Sequence, residues 1–168
     1  MSKNKHNHGA AKSGTKSEKE LSKITKSVGV PLLRVKNDFE SYGLNEWGRR
    51  YHKPPSDWEQ KTKTGKQRKY ISDGFIPLSN NKGIIIEQKH SDKHGTTEEK
   101  VAYDLLKIEK GVYGNKYKLW YIFTGEVISD IEVYKEFEKE AKNKKLPVKI
   151  IWGFDNYKKE LLKLKGGK

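Results

Sequence analysis

The sequence predicts an α/β fold of the mixed α+β kind, in which a mixed β-sheet is flanked by helices. Apolar runs of strand length alternate with amphipathic segments of helix length through the second half of the chain. Two predicted strands are joined by a short turn and must be antiparallel, whereas later strands are separated by single helices and should pair in parallel. The 168 residues are enough for one domain with a single core.

The first predicted elements are a basic tail and a helix. Residues 1–16 contain almost nothing to bury, so we expect a flexible basic tail that precedes a single domain at 17–168. A helix is predicted to begin near Ser17, because Thr15 and Ser17 each precede a glutamate by three residues, as in a capping box. Gly29 should end this helix. Its apolar positions at helical spacing are Leu21, Ile24 and Val28.

A β-hairpin is predicted in the middle of the chain, with strands at 70–77 and 83–89 and a polar turn at 78–82. The second strand contains three successive isoleucines at 84–86, and such an unbroken apolar run is typical of a strand that is covered on both faces. The remaining elements follow as helix 96–110, strand 117–124, helix 130–143, strand 147–153 and helix 156–164.

The charge of the chain indicates a polyanionic partner. Lysine and arginine number 36 against 22 acidic residues, which gives a formal net charge of +14, and the phosphates of a nucleic acid attract such a surface. No apolar run is long enough to span a bilayer, so we expect no membrane association. The absence of cysteine excludes disulfides and thiolate zinc sites. Because the N-terminus lacks the apolar core of a signal peptide, we expect a cytoplasmic protein.

The irregular stretch at 31–69 and the end of the hairpin supply the candidate DNA contacts. Basic side chains alternate there with aromatic ones, a composition suited to phosphates and bases. The alternative is that the aromatic residues pack on the core and the lysines form a solvated loop. The candidates are Arg49, Arg50, Lys61, Lys63, Lys66, Arg68, Lys69, His90, Lys93 and His94.

The hairpin also carries the candidate catalytic residues. Glu87 and Lys89 point to the same face of one strand, and a turn about Asn80 or Asn81 makes Glu87 or Lys89, respectively, the partner of Asp73. Two facing carboxylates repel each other unless a cation lies between them, and Mg²⁺ suits such a site. The lysine can orient the attacking water and neutralise charge on a phosphate. Alternatively, Asp73 is a surface residue and Glu87 and Lys89 form an ordinary ion pair.

These residues resemble the PD-(D/E)xK nuclease motif. Ile71-Ser72-Asp73 is followed, after 13 residues that end in three isoleucines, by Glu87-Gln88-Lys89. The segment 95–100, Gly-Thr-Thr-Glu-Glu-Lys, is similar to what small type II restriction endonucleases carry after their catalytic strand. One departure is a serine, rather than a proline, before the aspartate.

The resemblance implies a restriction-endonuclease-like fold in which Asp73 and Glu87 hold Mg²⁺, with Mn²⁺ as a substitute, and Lys89 positions the nucleophile. It also implies a homodimer that cuts double-stranded DNA in a restriction-modification system. The family often adds an acidic residue from its first helix; the candidates are Glu18, Glu20 and Glu40.

Two other functions are open. A Holliday-junction resolvase would use the same chemistry on branched DNA. A basic nucleic-acid-binding protein would bind nucleic acid without catalysis. We favour restriction because the arginine-containing stretch from Trp47 to Arg68 is suited to reach base edges.

Overall fold

The computed structural model describes residues 8–42, 51–52, 70–79, 82–91, 98–113, 117–126 and 132–166. Its helices are α1 (His8–Ser27), α2 (Lys36–Ser41), α3 (Glu98–Glu109), α4 (Glu132–Asn143) and α5 (Gly153–Gly166). Its strands are β1 (Tyr51–His52), β2 (Tyr70–Ile71), β3 (Gly74–Pro77), β4 (Gly83–His90), β5 (Lys118–Thr124) and β6 (Val148–Trp152).

The main sheet has four strands in the order β3-β4-β5-β6. Strands β3 and β4 are antiparallel, with Phe75 opposite Ile85, whereas β4, β5 and β6 are parallel to one another. The prediction of a mixed sheet flanked by helices, with an antiparallel hairpin and parallel crossovers, is therefore confirmed. A separate antiparallel pair, β1 with β2, was not predicted.

The core lies on both faces of this sheet, and the isoleucine run of β4 shows why. Ile85 packs on one face with residues of α3 and α4, while Ile84 and Ile86 pack on the other face with residues of α1 and α5. All three side chains are fully buried. Strand alternation therefore sends Glu87 and Lys89 to the same face as Ile85, towards α3.

Two predicted boundaries differ from the structure. Helix α1 begins at His8 rather than near Ser17, so the predicted start of this helix is wrong and residues 8–16 belong to it. Extending a helix that is already anchored by Leu21 costs less than starting one, which explains the earlier beginning. Residues 1–7 lie outside the described residues.

The predicted strand at 70–77 is also interrupted. Residues 70–71 pair with β1 and residues 74–77 pair with β4, so Ser72 and Asp73 lie between two different sheets. Other predicted boundaries agree to within about three residues, as is usual for element ends. In the part of the chain that the structure describes, no helix has both the length and the apolar character needed to cross a membrane.

Candidate active site

Asp73 lies beside the end of β4 that carries the other two predicted catalytic residues. The last pair of the β3–β4 ladder is Gly74 with Ile86, which is the register of a turn about Asn80, and Asp73 directly precedes it. The Asp73 amide donates to the Ile86 carbonyl (3.0 Å), and the Gln88 amide donates to Asp73 Oδ2 (2.7 Å). The Asp73 carboxylate is thus held against the β4 backbone next to Glu87, as expected for a turn about Asn80.

Glu87 is a buried carboxylate, with only 6% of its surface exposed. Among the described residues, it forms no hydrogen bond and no ion pair within 4 Å. Burial, and next the negative charge of Asp73, raise the pKa of Glu87 well above its usual value. A carboxylate in this position favours a bound proton or a bound cation over bare ionisation.

Lys89 is anchored to a residue that the sequence analysis did not single out. Its Nζ lies 2.8 Å from Oδ2 of Asp104 on α3. The Tyr121 hydroxyl donates to the same oxygen (2.5 Å), and Lys107 pairs with the other oxygen, Oδ1. Burial opposes the ionisation of Lys89, but Asp104, aided by Glu87, nevertheless raises the pKa of Lys89.

Asp104 keeps its negative charge in this buried position. Burial alone would raise its pKa, but Lys89 and Lys107 together lower the pKa of Asp104 below its usual value. Burial, and next the charge of Asp104, raise the pKa of Tyr121 well above its usual value, so the hydroxyl remains a donor.

Two further carboxylates and two ammonium groups act on Glu87. Besides burial, which has the largest effect, Asp73 and Asp104 raise the pKa of Glu87, whereas Lys107 and Lys89 lower it. A cation between Asp73 and Glu87 would offset the repulsion between these two carboxylates, and a pair of carboxylate ligands suits Mg²⁺, which retains several waters.

The two carboxylates are the protein ligands that the described residues offer for such an ion. Within the described ranges, no group of three or more histidine, aspartate or glutamate side chains is arranged to hold a metal. Magnesium is commonly bound through one or two carboxylates together with water and substrate phosphate, so Asp73 and Glu87 fit this ion.

The predicted glutamates of the first helix do not join the carboxylate pair. Glu18 pairs with Arg34, whose Nε donates to the Asp73 carbonyl (3.1 Å). Glu18 is therefore connected to the site through Arg34. Glu20 is half-buried and lies 3.9 Å from Lys23, and Glu40 is exposed on α2.

The end of β4 beyond Lys89 is tied to β5. Gln88, on the opposite face from Glu87, donates through Nε2 to the Thr124 hydroxyl (3.0 Å). His90 Nδ1 also lies 3.0 Å from that hydroxyl, and His90 is half-buried. Gly125 has φ = 113°, and a Cβ there would lie 2.1 Å from the Ser91 carbonyl oxygen. This close approach requires glycine.

The other predicted DNA contacts cannot be placed. Besides His90, every one of them lies outside the described residues: Arg49, Arg50, Lys61, Lys63, Lys66, Arg68, Lys69, Lys93 and His94.

Asp104, Lys107, Tyr121 and Arg34 are the residues that sequence reasoning missed. One signal was present, because Asp104 lies three residues after Val101 and four before Ile108 and so falls on the inner, otherwise apolar, stripe of α3. An acidic residue on a buried stripe requires a partner. Its identity, Lys89, could not be read from spacing.

Comparison of the chain with models of protein families, with curated proteins and with solved structures gave no match. The function must therefore be inferred from the geometry and charge of the site.

Proposed function

We propose that this chain is a Mg²⁺-dependent endonuclease that hydrolyses the phosphodiester bonds of double-stranded DNA, and specifically a type II restriction endonuclease. The observation that carries the proposal is the buried, unbonded carboxylate of Glu87 beside Asp73, with Lys89 two residues further along the same strand. Two neighbouring carboxylates in a buried position repel each other, and this repulsion is destabilising unless a cation offsets it. The net charge of +14 supports a nucleic acid as the substrate.

Each residue has a distinct role in this proposal. Asp73 and Glu87 would hold Mg²⁺, and Asp73 is oriented for this role by the Gln88 amide at one carboxylate oxygen. A bound Mg²⁺ supplies charge stabilisation at the phosphoryl oxygens and a more acidic water. The Lys89 ammonium has three donors, of which Asp104 engages one, so others can orient the attacking water or neutralise charge on the phosphate.

The proposal of a restriction enzyme includes that the protein is a cytoplasmic homodimer. Two strands of a duplex must be cut, and a twofold dimer presents one site to each strand. This part of the proposal is supported by the resemblance of the Asp73-to-Lys89 segment to the PD-(D/E)xK motif.

Plasmid cleavage in the presence and absence of Mg²⁺ tests the proposal. We expect discrete fragments from the wild type, and a loss of about 10³-fold or more in rate for Asp73→Asn and for Lys89→Ala, with Mg²⁺-independent DNA binding retained. Glu132→Gln and Lys135→Ala are matched controls on α4, since each removes one exposed charge of the same sign away from the site.

Three outcomes would contradict the proposal in different ways. Wild-type cleavage rates in Asp73→Asn or Lys89→Ala would remove these residues from the chemistry. Cleavage of four-way junctions but not of linear duplex would assign the site to a resolvase. No cleavage of any DNA with Mg²⁺ or Mn²⁺, together with tight salt-dependent binding, would indicate a non-catalytic nucleic-acid-binding protein.

A further inference from the structure

Asp104 is a charged residue buried between α3 and the sheet, with 3% of its surface exposed. Its carboxylate receives three contacts, from Lys89, Lys107 and Tyr121. Buried ion pairs of this kind are weak sources of stability, because the desolvation of the charges offsets most of their attraction. The proposed function above gives Asp104 no role, although it lies within contact of Lys89.

The ion pair between Asp104 and Lys89 matters more to Lys89 than to Asp104. Lys107, three residues further along the same helix, neutralises Asp104, and the Tyr121 hydroxyl donates to the other carboxylate oxygen. Asp104 would thus remain paired without Lys89. Lys89, in contrast, makes its ion pair with Asp104 and, within the described residues, makes none with Glu87 two positions before it.

The arrangement restricts where the Lys89 ammonium can lie. A lysine side chain has a flexible stem, and a free ammonium beside two carboxylates would pair directly with them. Pairing with Glu87 or Asp73 would neutralise the charges that a metal ion requires. Asp104 instead holds the ammonium from the α3 side, next to the carboxylate pair but bonded away from Glu87.

We propose that Asp104 is a positioning residue that fixes the Lys89 ammonium at the edge of the carboxylate pair, so that Lys89 faces the substrate phosphate and does not occupy the metal position. This inference rests on the proposed function for its consequence in catalysis. Its structural half, the restraint of Lys89 by Asp104, can be tested whether or not the protein cleaves DNA.

The test uses Asp104→Asn, which keeps the shape and a hydrogen-bond acceptor but removes the charge. Glu109→Gln is the matched control, because it removes the charge of another carboxylate on α3, one that pairs with Lys144 and not with Lys89. Single-turnover cleavage at saturating Mg²⁺ should fall about 100-fold in Asp104→Asn, the loss typical of a misplaced reacting group. Glu109→Gln should leave that rate unchanged.

Two further readouts separate positioning from a purely structural role. The Lys89 ammonium signal, measured by ¹⁵N-edited NMR and assigned with Lys89→Ala, should be protected from exchange in the wild type and in Glu109→Gln, and lost in Asp104→Asn. Adding Asp104→Asn to Lys89→Ala should cause no further loss of cleavage, since the aspartate acts through the lysine.

An unchanged Lys89 signal or a wild-type cleavage rate in Asp104→Asn would overturn the inference. If Asp104→Asn fails to fold, the double variant Asp104→Asn/Lys107→Met is compared with Lys107→Met. The double variant removes the buried negative charge together with its second lysine partner. An unchanged Lys89 signal or an unchanged cleavage rate in this comparison would again overturn the inference. If the wild-type protein cleaves no DNA but Asp104→Asn abolishes the Lys89 signal, the proposed function is refuted and the restraint of Lys89 by Asp104 is upheld.

Discussion

Replacing Glu87 with glutamine should make the metal-free protein more stable at neutral pH. The substitution keeps the size of the side chain and removes the charge that burial and Asp73 disfavour. A gain in stability on this substitution is a specific consequence of the buried position of Glu87 beside a second carboxylate.

The expected size follows from the cost of a buried polar group without a partner, roughly 1–3 kcal/mol and more for a charged group. A change of about 2 kcal/mol in the free energy of unfolding shifts the melting temperature of a domain of this size by about 4–8 °C. We therefore expect Glu87→Gln to melt about 4–8 °C above the wild type in EDTA near pH 7.5.

The gain should depend on pH in a defined direction. Because the pKa of Glu87 is higher in the folded than in the unfolded chain, the wild type loses stability as the pH rises above the usual glutamate value of about 4.3 and levels off above the folded pKa. The two proteins should thus melt at similar temperatures below about pH 4 and diverge as the pH rises.

Magnesium should reverse the order. An ion that binds only the folded state at 100 times its Kd adds about 2.7 kcal/mol to the wild type, and this gain should be largely absent in Glu87→Gln. Differential scanning fluorimetry from pH 4 to 8, with EDTA or Mg²⁺, measures both effects. A variant that melts below the wild type in EDTA at pH 7.5, or that gains the same stability from Mg²⁺, would refute this account of Glu87.

Glu138→Gln is the matched control because it makes the same charge change on α4. Partial burial opposes the ionisation of Glu138, but hydrogen bonds from Lys142 and Trp152 lower the pKa of Glu138 below its usual value. Its ionisation therefore favours the folded state above the usual glutamate pKa, so this variant should be equal to or slightly less stable than the wild type at neutral pH and should respond normally to Mg²⁺.

Two other substitutions test the support of the site. Arg34→Lys keeps the charge but loses the guanidinium fork that reaches the Asp73 carbonyl. Single-turnover cleavage should therefore fall by up to about 100-fold, while DNA binding stays unchanged. An unaltered cleavage rate would show that the Asp73 backbone needs no such support. Gly125→Ala places a Cβ against the Ser91 carbonyl at a positive φ and should lower the free energy of unfolding, measured by chemical denaturation, by about 1–3 kcal/mol or more. Gly166→Ala, with open space around it, should leave the free energy of unfolding unchanged or raise it slightly. Equal stability of the two alanine variants would contradict the close approach at Gly125.

The sequence by itself was sufficient to predict the sheet and the strand that carries the site. The three isoleucines before Glu87 and the alternation of side chains along a strand are local properties, and they set Glu87 and Lys89 on one face whatever the rest of the chain does. The crossover helices followed from periodicity in the same way. The start of α1 was misplaced because helix extension depends on anchoring further along, at Leu21, rather than on the capping pattern near Ser17.

Only the tertiary structure decided what surrounds these residues. The hairpin register that places Asp73 beside Glu87 depends on turn geometry, for which the sequence allowed two solutions. The pairing of Lys89 with Asp104 depends on how α3 docks on the sheet, and the connection of Glu18 to Asp73 depends on Arg34 reaching between them. These contacts join residues 15 to 39 positions apart. Local pattern determines which face a side chain occupies, but the packing of whole elements determines which charge it meets there.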